Sequence, residues 1–328
     1  MGRGTSSDQS LSGVSTTAPS IETCSSFTHI TGSNPLVDTI SKLFLVARGE
    51  LRIDLQAYFD RIGYRGGTEP THETLTSLVS AHVRRIPFEN LDPLMGVPVI
   101  DLSPAALSAK LVARRRGGYC YEHNNLMCEV LSGLGFGAER LAARVVWMAP
   151  EGLEGPPSPQ THQALAVTIP GSDQLYLVDV GFGGQTPTAP IPMVPDEVQQ
   201  TSHEPFRLRR HGNDADELVV ETLIGERWRP LYILGLRPRP LIDMQVGSWY
   251  VSTFPESNFV VGLSASLVTD DARWNLRGRN LAIHAGGGTE RIRFDDAAQV
   301  CAALTDRFGI DLAGLGDVEA KVASVLDT

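Results

Sequence analysis

The hydrophobic periodicity of this chain changes once, near residue 136, and that change restricts its fold more than any other feature. Between residues 54 and 135 apolar residues recur every three or four positions, as on the buried side of a helix. Gly63 follows the first such stretch, and Ser103-Pro104 opens a later one as N-cap and first helical residue. From residue 137 the period is two, which is typical of strands. The sequence therefore predicts an α+β protein with its helices first.

Strand signals dominate from residue 137 to residue 240. The predicted strands are 141–147, 164–169, 175–180, 218–224 and 227–234. Beyond residue 241 the pattern is mixed, and the predicted elements are strands over 249–254 and 259–265, a hairpin turn at 286–288 and a helix over 297–308. The second half of the chain is thus predicted to be mainly sheet, followed by a helix.

The composition is typical of a globular enzyme. Of 328 residues, 42% are hydrophobic and 20% are charged, which is enough for two or three domains with their own cores. The 28 basic and 38 acidic residues give a formal charge of −10, whereas nucleic-acid-binding domains are normally basic. No apolar stretch is long enough to span a membrane. Residues 1–48 are rich in Ser, Thr and Gly, and we predict that they are disordered or an upstream extension of the reading frame.

Cys120 lies in the run Arg-Gly-Gly-Tyr-Cys-Tyr-Glu-His-Asn, residues 116–124, at the start of a predicted helix. The first turn of a helix has unpaired N–H groups and the positive end of the helix dipole, and both stabilise a thiolate over a thiol. Gly117 and Gly118 leave space for a substrate to approach the backbone. These features predict a cysteine nucleophile at position 120.

The other three cysteines have different surroundings. Cys128 follows on the same predicted helix, Cys301 falls on the apolar side of the last helix, and Cys24 lies in the polar N-terminal segment. Cys120 and Cys128 are roughly 12 Å apart along the helix, which is too far for a disulfide. The spacing shows no disulfide framework, and this favours a reducing, cytoplasmic compartment.

A thiol nucleophile usually works with a histidine that takes its proton and a third group that orients the histidine. His162 begins one alternating apolar segment and Asp179 ends another, with the short turn 170–173 between them. A hairpin would therefore bring both side chains to its open end. An aspartate in so apolar a strand needs a partner, and a histidine N–H is suitable. Two simpler readings stay open: a surface histidine at a strand end, and an aspartate that caps the turn into Gly181.

Four separated motifs resemble the signature segments of the arylamine N-acetyltransferase family, in the family's order. They are Ile-Pro-Phe-Glu-Asn-Leu at 86–91, the cysteine run at 116–124, Thr-His at 161–162 and Val-Asp-Val-Gly-Phe-Gly-Gly at 178–184. The resemblance extends from about residue 53 to the C-terminal helix and includes Trp-Tyr-Val-Ser-Thr-Phe-Pro at 249–255. Phe254 departs from the pattern, since many family members have histidine there, and we transfer no coenzyme A contact to it.

The resemblance implies a three-domain α+β fold: a helical domain at 49–136 with the nucleophile, a β-barrel at 137–240 with the histidine and aspartate, and an α/β lid at 241–328. It also implies a catalytic triad like that of papain and transglutaminase, formed by Cys120, His162 and Asp179. The residues implied to line the acceptor pocket are Phe88, Tyr121, Val145, Gly181 and Phe182. For Val145 an ordinary core position is an equally good reading.

The family also suggests a role for two charged residues. In this resemblance Arg116 pairs with Glu89 and ties the cysteine helix to its neighbour. A structural zinc site around Cys120, His123 and Cys128 is disfavoured, because no second cluster supplies a fourth ligand.

The activity implied is acetyl-CoA-dependent N-acetylation of arylamines, arylhydrazines and hydrazides, through an acetyl-cysteine intermediate and without a metal. The expected partners are coenzyme A, a small arylamine or hydrazine and, as one option for assembly, a second copy of the chain in a homodimer. Neither nucleic acid nor a membrane is among them, and the expected location is the cytoplasm. Two alternatives share the triad: an amide synthase that closes polyketide macrolactams, and a cysteine hydrolase.

Overall fold

A computed structural model of the chain describes residues 53–212 and 216–327. Our predictions for residues 1–48, and for Cys24 within them, lie outside the described residues.

The first part of the described chain is helical, as the periodicity predicts. Its helices are α1 (Leu55–Ile62), α2 (His72–Arg85), α3 (Leu91–Leu94), α4 (Pro104–Leu107) and α5 (Cys120–Gly133), with a π-helical turn over Ser108–Ala113 directly after α4. The side chains of Asp54, Thr71 and Ser103 each accept a hydrogen bond from an N–H of the first helical turn. Gly63 ends α1 with a φ of 71°, a left-handed conformation that glycine adopts without strain. The predicted N-cap at Ser103 and the predicted helix end at Gly63 are confirmed.

Helix α5, which begins at the cysteine, is the centre of the largest apolar core. Its residues Leu126, Met127, Val130 and Leu131 are fully buried. The helix packs against two strands of the following sheet, β2 (Gly137–Val145) and β3 (His162–Thr168). Because α5 is enclosed on almost all sides, its first residue is held rigidly relative to the sheet.

The second part is an eight-stranded antiparallel sheet. The other strands in it are β4 (Leu175–Val178), β5 (Ile191–Pro192), β6 (Val198–Gln199), β7 (Phe206–Arg210), β8 (Glu217–Ile224) and β9 (Arg227–Gly235). The strand order is β5-β4-β3-β2-β9-β8-β7-β6. Residues 191–199 pair with β4 at one end and with β7 at the other, so this short segment joins the two edges of the sheet. The sheet is therefore a nearly closed barrel.

The last part contains a second, five-stranded sheet and four helices. Its elements are α6 (Leu241–Thr253), α7 (Asn258–Val261), β10 (Ser264–Val268), β11 (Ala272–Arg277), β12 (Asn280–Ala285), β13 (Gly288–Arg293), α8 (Ala297–Asp306) and α9 (Val318–Ser324). The predicted hairpin at 286–288 and the predicted helix at 297–308 are confirmed as the β12–β13 turn and α8. The prediction that the chain finishes with this helix is wrong, because α9 follows it. The fifth strand is β1 (Phe88–Glu89), which pairs with β10 and so joins the helical region to the lid.

One predicted element is wrong: residues 249–254 are not a strand but the second half of α6. The buried side of this helix carries Met244, Ser248, Val251 and Ser252, whereas Trp249 is half exposed. The two serines are buried because they form hydrogen bonds, so polar residues occupy positions where a helical pattern would show apolar ones. The predicted strand at 259–265 is likewise shifted, because residues 258–261 form α7 and the strand begins at Ser264.

Candidate active site

Cys120 is the first residue of α5 and is 5% exposed. Its thiol donates to the backbone carbonyl of Thr161, with Sγ 3.7 Å from the oxygen. The preceding glycines are packed against protein atoms. A Cβ at Gly117 would collide with the Pro87 carbonyl oxygen, and one at Gly118 would lie 2.6 Å from Glu122 Oε2. The space that we predicted for a substrate beside these glycines is therefore filled by the protein itself.

His162 and Asp179 are brought together by the β3–β4 hairpin. Leu165 faces Val178 across this hairpin, so the residues at its open end come to lie side by side. His162 Nε2 is 2.7 Å from Asp179 Oδ2, and both side chains are buried. The ring also makes a hydrogen bond with the Cys120 side chain. Since Nε2 is occupied by Asp179, Nδ1 is the atom that faces the sulfur.

The Asp179 carboxylate is fully surrounded by donors. Its Oδ1 accepts hydrogen bonds of 3.0 Å from Asn124 Nδ2 and from the backbone N–H of Gly181. Burial acts to raise the pKa of this carboxyl, but the His162 ring and the two further donors hold it below its usual value. Asp179 is therefore a buried carboxylate that stays ionised, and it also caps the turn into Gly181.

The electrostatic surroundings of His162 favour its charged form. Burial alone would lower the pKa of this imidazole, but the Asp179 carboxylate and the adjacent Cys120 sulfur raise it to about 10. The ring therefore carries a proton at neutral pH. A cationic imidazolium beside the sulfur is the arrangement that stabilises a thiolate.

This raised pKa predicts how stability depends on pH. In the unfolded chain His162 titrates near 6.5, and in the folded protein at about 10, so the folded state binds the proton more tightly between these values. The stabilisation is complete below pH 6.5 and is lost as the pH rises through 10. Because a thiolate paired with this imidazolium has released the proton that an unfolded thiol keeps up to about pH 8.5, we expect the free energy of unfolding, measured in urea, to fall by up to about 1.4 kcal/mol per pH unit between about pH 8.5 and pH 10. His162→Gln should lack this slope, and equal slopes in both proteins would contradict the assignment.

Asn124 is a site residue that the sequence analysis missed. Its side chain donates to the Gln163 carbonyl at 2.6 Å and to Asp179, and its Oδ1 accepts from the Val180 N–H at 3.1 Å. It lies four residues after Cys120, on the same side of α5. One amide thus fixes the cysteine helix to both strands of the hairpin. The signal available was an asparagine at this helical spacing from the nucleophile.

Tyr232 on β9 is a second residue that was missed. Its ring centroid lies 4.8 Å from that of His162 and 5.2 Å from that of Phe182, which itself contacts His162 edge-on at 5.2 Å. The hydroxyl is buried beside the Asp179 carboxylate, and burial together with this charge raises the pKa of Tyr232. Two aromatic rings thus enclose the imidazole and shield it from water. Nothing in the alternating pattern of this strand distinguishes Tyr232 from a core residue.

The predicted pocket residues surround this centre to different degrees. Phe182 touches His162, and Val145 faces Tyr232 across the β2–β9 pair. Gly181 lies against the nucleophile, because a Cβ there would be 2.8 Å from Cys120 Cα. The remaining two predicted residues are placed less directly. Tyr121 is buried and its hydroxyl donates to the Gln160 carbonyl at 3.3 Å, and Phe88 lies against Gly183 and the Phe259 ring.

Arg116 and Glu89 form a buried ion pair behind the nucleophile. Arg116 Nη2 is 2.7 Å from Glu89 Oε1, and both side chains are almost inaccessible. Asp92 joins the pair, with Oδ1 2.9 Å from Arg116 Nη2. Burial would lower the pKa of Arg116, but these two carboxylates raise it. The pair therefore holds the segment before Cys120 against β1 and α3.

The described residues contain neither a metal-binding cluster nor a membrane-spanning helix. No group of three or more His, Cys, Asp or Glu side chains within residues 53–212 and 216–327 could hold a metal ion. In the same part of the chain, every helix is too short or too polar to cross a membrane.

Comparison with known proteins shows the family. Residues 71–316 match the family model described as N-acetyltransferase. The arylamine N-acetyltransferase of Mycolicibacterium smegmatis is 59% identical over 280 residues, which are 85% of this chain and 100% of that protein.

Solved structures agree in fold. The structure of the M. smegmatis arylamine N-acetyl transferase is similar with a TM-score of 0.81 at 58% identity, and the match covers 84% of this chain and 100% of that one. The structure of Mycobacterium marinum arylamine N-acetyltransferase in complex with CoA gives a TM-score of 0.79 at 56% identity, over 83% of this chain and 99% of the other. The chain therefore belongs to the arylamine N-acetyltransferase family of acyltransferases and has its three-domain α+β fold.

Proposed function

We propose that this protein transfers the acetyl group of acetyl-CoA to arylamines, arylhydrazines and hydrazides through an acetyl-Cys120 intermediate. The observation that carries the proposal is the continuous contact from Cys120 through His162 to Asp179 at the start of α5. Family membership supports it, as does the M. marinum relative in complex with CoA. The acceptor is a small molecule, and the reaction takes place in the cytoplasm.

In the first half-reaction Cys120 attacks the thioester. His162 holds the proton as an imidazolium that the buried Asp179 charge stabilises, and Cys120 attacks as the thiolate. The sulfur adds to the acetyl carbonyl, the carbon–sulfur bond of the thioester breaks, and coenzyme A leaves with the proton from His162. The backbone N–H groups near Tyr121, in the first turn of α5, and near Val145 are the candidate donors to the oxygen on which negative charge develops.

In the second half-reaction the amine attacks the acetyl-cysteine. His162, now neutral, takes the proton that the amine loses as the new carbon–nitrogen bond forms. The Cys120 thiolate leaves, and the imidazolium again lies beside it. A thiolate is a good leaving group, so a weakly basic aromatic amine can displace it without the strong protonation that an amide would need.

The acceptor pocket in this proposal is the aromatic surface beside the sulfur. Its residues are Phe88, Tyr121, Val145, Gly181 and Phe182. Flat aromatic walls suit a flat aromatic amine, and Phe182 is already fixed against the imidazole that must receive the amine's proton.

The proposal is tested by isolating the intermediate. When the purified protein is mixed with acetyl-CoA and no amine, we expect the intact mass to show one acetyl group per chain, and peptide mapping to place it on Cys120. Addition of an arylamine should remove the label and yield the acetylated amine. Release of coenzyme A without a labelled enzyme would instead indicate a hydrolase.

Steady-state kinetics give an independent check of the same scheme. Double displacement predicts parallel lines when reciprocal rates are plotted at varied acetyl-CoA and fixed amine concentrations. Intersecting lines would indicate a ternary complex and would rule out the acetyl-enzyme route.

A further inference from the structure

Behind the nucleophile lies a chain of five alternating charges that the triad does not use. It runs in space from Glu89 to Arg116, Asp92, Lys110 and Glu122. Each contact is between 2.6 and 2.9 Å, and no side chain of the five is more than 16% exposed. Glu89 and Arg116 are the pair suggested by the family resemblance. Lys110 and Glu122 extend that pair toward Cys120.

The last charge of this chain lies at the start of the nucleophile's helix. Glu122 is the third residue of α5, and its Oε2 accepts the backbone N–H of Tyr119, the residue directly before Cys120, at 3.2 Å. A carboxylate in this position satisfies an N–H group at the helix start, as in a capping box. It also places a negative charge two residues from the sulfur, and a nearby negative charge disfavours a thiolate.

Lys110 balances that charge. Its Nζ is 2.6 Å from Glu122 Oε1 and 2.6 Å from Asp92 Oδ2, so a single ammonium bridges two buried carboxylates. The residue lies in the π-helical turn after α4, which is a frequent location for functional residues. An ammonium is a compact charge with three N–H donors, so Lys110 can bind both carboxylates at once. The three carboxylates and two cations give the five groups a formal net charge of −1. Without Lys110 this net charge would be −2.

We propose that Lys110 is a positioning residue for the nucleophile: it neutralises Glu122, keeps the turn at Tyr119 formed and so favours the Cys120 thiolate. The inference rests on the proposed function only in naming Cys120 as the nucleophile.

The charged and titratable groups around the sulfur come from three parts of the fold. On the barrel side, the groups nearest the sulfur are the imidazolium of His162 and, behind it, Asp179. On its own helix and the preceding turn lie Tyr119 and Tyr121, whose pKa values are raised by burial and by Cys120, so both stay neutral. In the helical domain, the charged groups near the sulfur are those of the five-residue charge chain, which ends at Glu122. Burial raises the pKa of Glu122 and the Lys110 ammonium opposes this rise, as expected if the lysine keeps the carboxylate ionised.

The test measures the thiolate directly, through the rate of Cys120 alkylation by iodoacetamide as a function of pH. In Lys110→Met we expect the midpoint of the alkylation profile to rise by about one pH unit, and the rate below the midpoint to fall about tenfold. The double variant Lys110→Met with Glu122→Gln removes the uncompensated charge while glutamine still accepts the Tyr119 N–H. Its midpoint should return toward that of the wild type.

The control is Lys321→Met on α9, the same chemical change at a lysine outside the charge chain, which should leave the profile unchanged. If Lys110→Met does not fold, the single variant Glu122→Gln decides the question. Lys110 then has one carboxylate fewer to balance, so the midpoint of the alkylation profile should fall below that of the wild type. A wild-type profile in Lys110→Met, or no recovery in the double variant, overturns the proposal.

Alkylation needs neither acetyl-CoA nor an amine. Failure of the acetyl-transfer scheme would therefore show in the labelling experiment with wild-type protein, and failure of the Lys110 inference would show only in these profiles.

Discussion

Replacement of Cys120 by serine is expected to reduce acetyl transfer by at least about 10⁴-fold, while the melting temperature changes little. A serine hydroxyl is a far weaker nucleophile at neutral pH, since its pKa is too high for it to give up its proton to the His162 imidazole. The substitution is nearly isosteric, and serine is well suited to a helix start. It can also donate to the Thr161 carbonyl as the thiol does. The measurement is the initial rate with acetyl-CoA and an arylamine, together with a thermal unfolding curve.

Cys301→Ser is the matched control. Cys301 is partly buried on α8, in the core of the lid, and belongs to no part of the proposed site. We expect this variant to keep the wild-type rate. Substantial activity in Cys120→Ser would contradict covalent catalysis, and loss of activity in both variants would point to general sensitivity to cysteine replacement.

Some parts of the site follow from local sequence features. The helix start at Cys120 was predictable because Tyr119 and the glycines before it stand next to a helical apolar pattern. The hairpin that joins His162 to Asp179 was predictable because two alternating segments flank the short turn Pro-Gly-Ser-Asp at 170–173. Such features depend on neighbours in sequence, and so they can be read without the fold.

Other parts depend on contacts between distant segments. Tyr232 reaches His162 only because β9 pairs with β2, and Lys110 reaches Glu122 only because a π-helical turn lies against α5. The pattern over residues 249–254 predicts a strand in place of α6 for the same reason, since Ser248 is buried through its hydrogen bond with Tyr119 from another domain. Periodicity cannot report such pairings. The exact domain limits, 136/137 and 240/241, stay predictions.

Asp179→Asn is expected to lower the rate of acetyl transfer by about 10³- to 10⁴-fold. The Oδ1 of asparagine can still accept from Asn124 and Gly181, so the hairpin should keep its geometry. Its amide nitrogen, however, would donate to His162 Nε2, where the carboxylate now accepts. The ring would then be neutral with its proton on Nδ1, facing the sulfur, and could not accept the thiol proton.

Glu221→Gln provides the matched control for this carboxylate. Glu221 is also buried in the barrel and pairs with Arg207 at 2.7 Å, but it lies on β8 away from the triad. Its replacement should cost stability without changing the rate of transfer. If both variants lost activity equally, the effect of Asp179→Asn would reflect the loss of a buried ion pair in general.

The pH profile of Cys120 alkylation separates a role in orientation from a role in folding. Asp179→Ala leaves Asn124, Gly181 and His162 without their acceptor, and we expect it to destabilise the fold by about 3–5 kcal/mol. Asp179→Asn should fold, yet the plateau of fast alkylation at neutral pH should be lost, because the imidazolium that stabilises the thiolate no longer forms. An unchanged profile in Asp179→Asn would remove Asp179 from the mechanism and leave it only the task of capping the turn into Gly181.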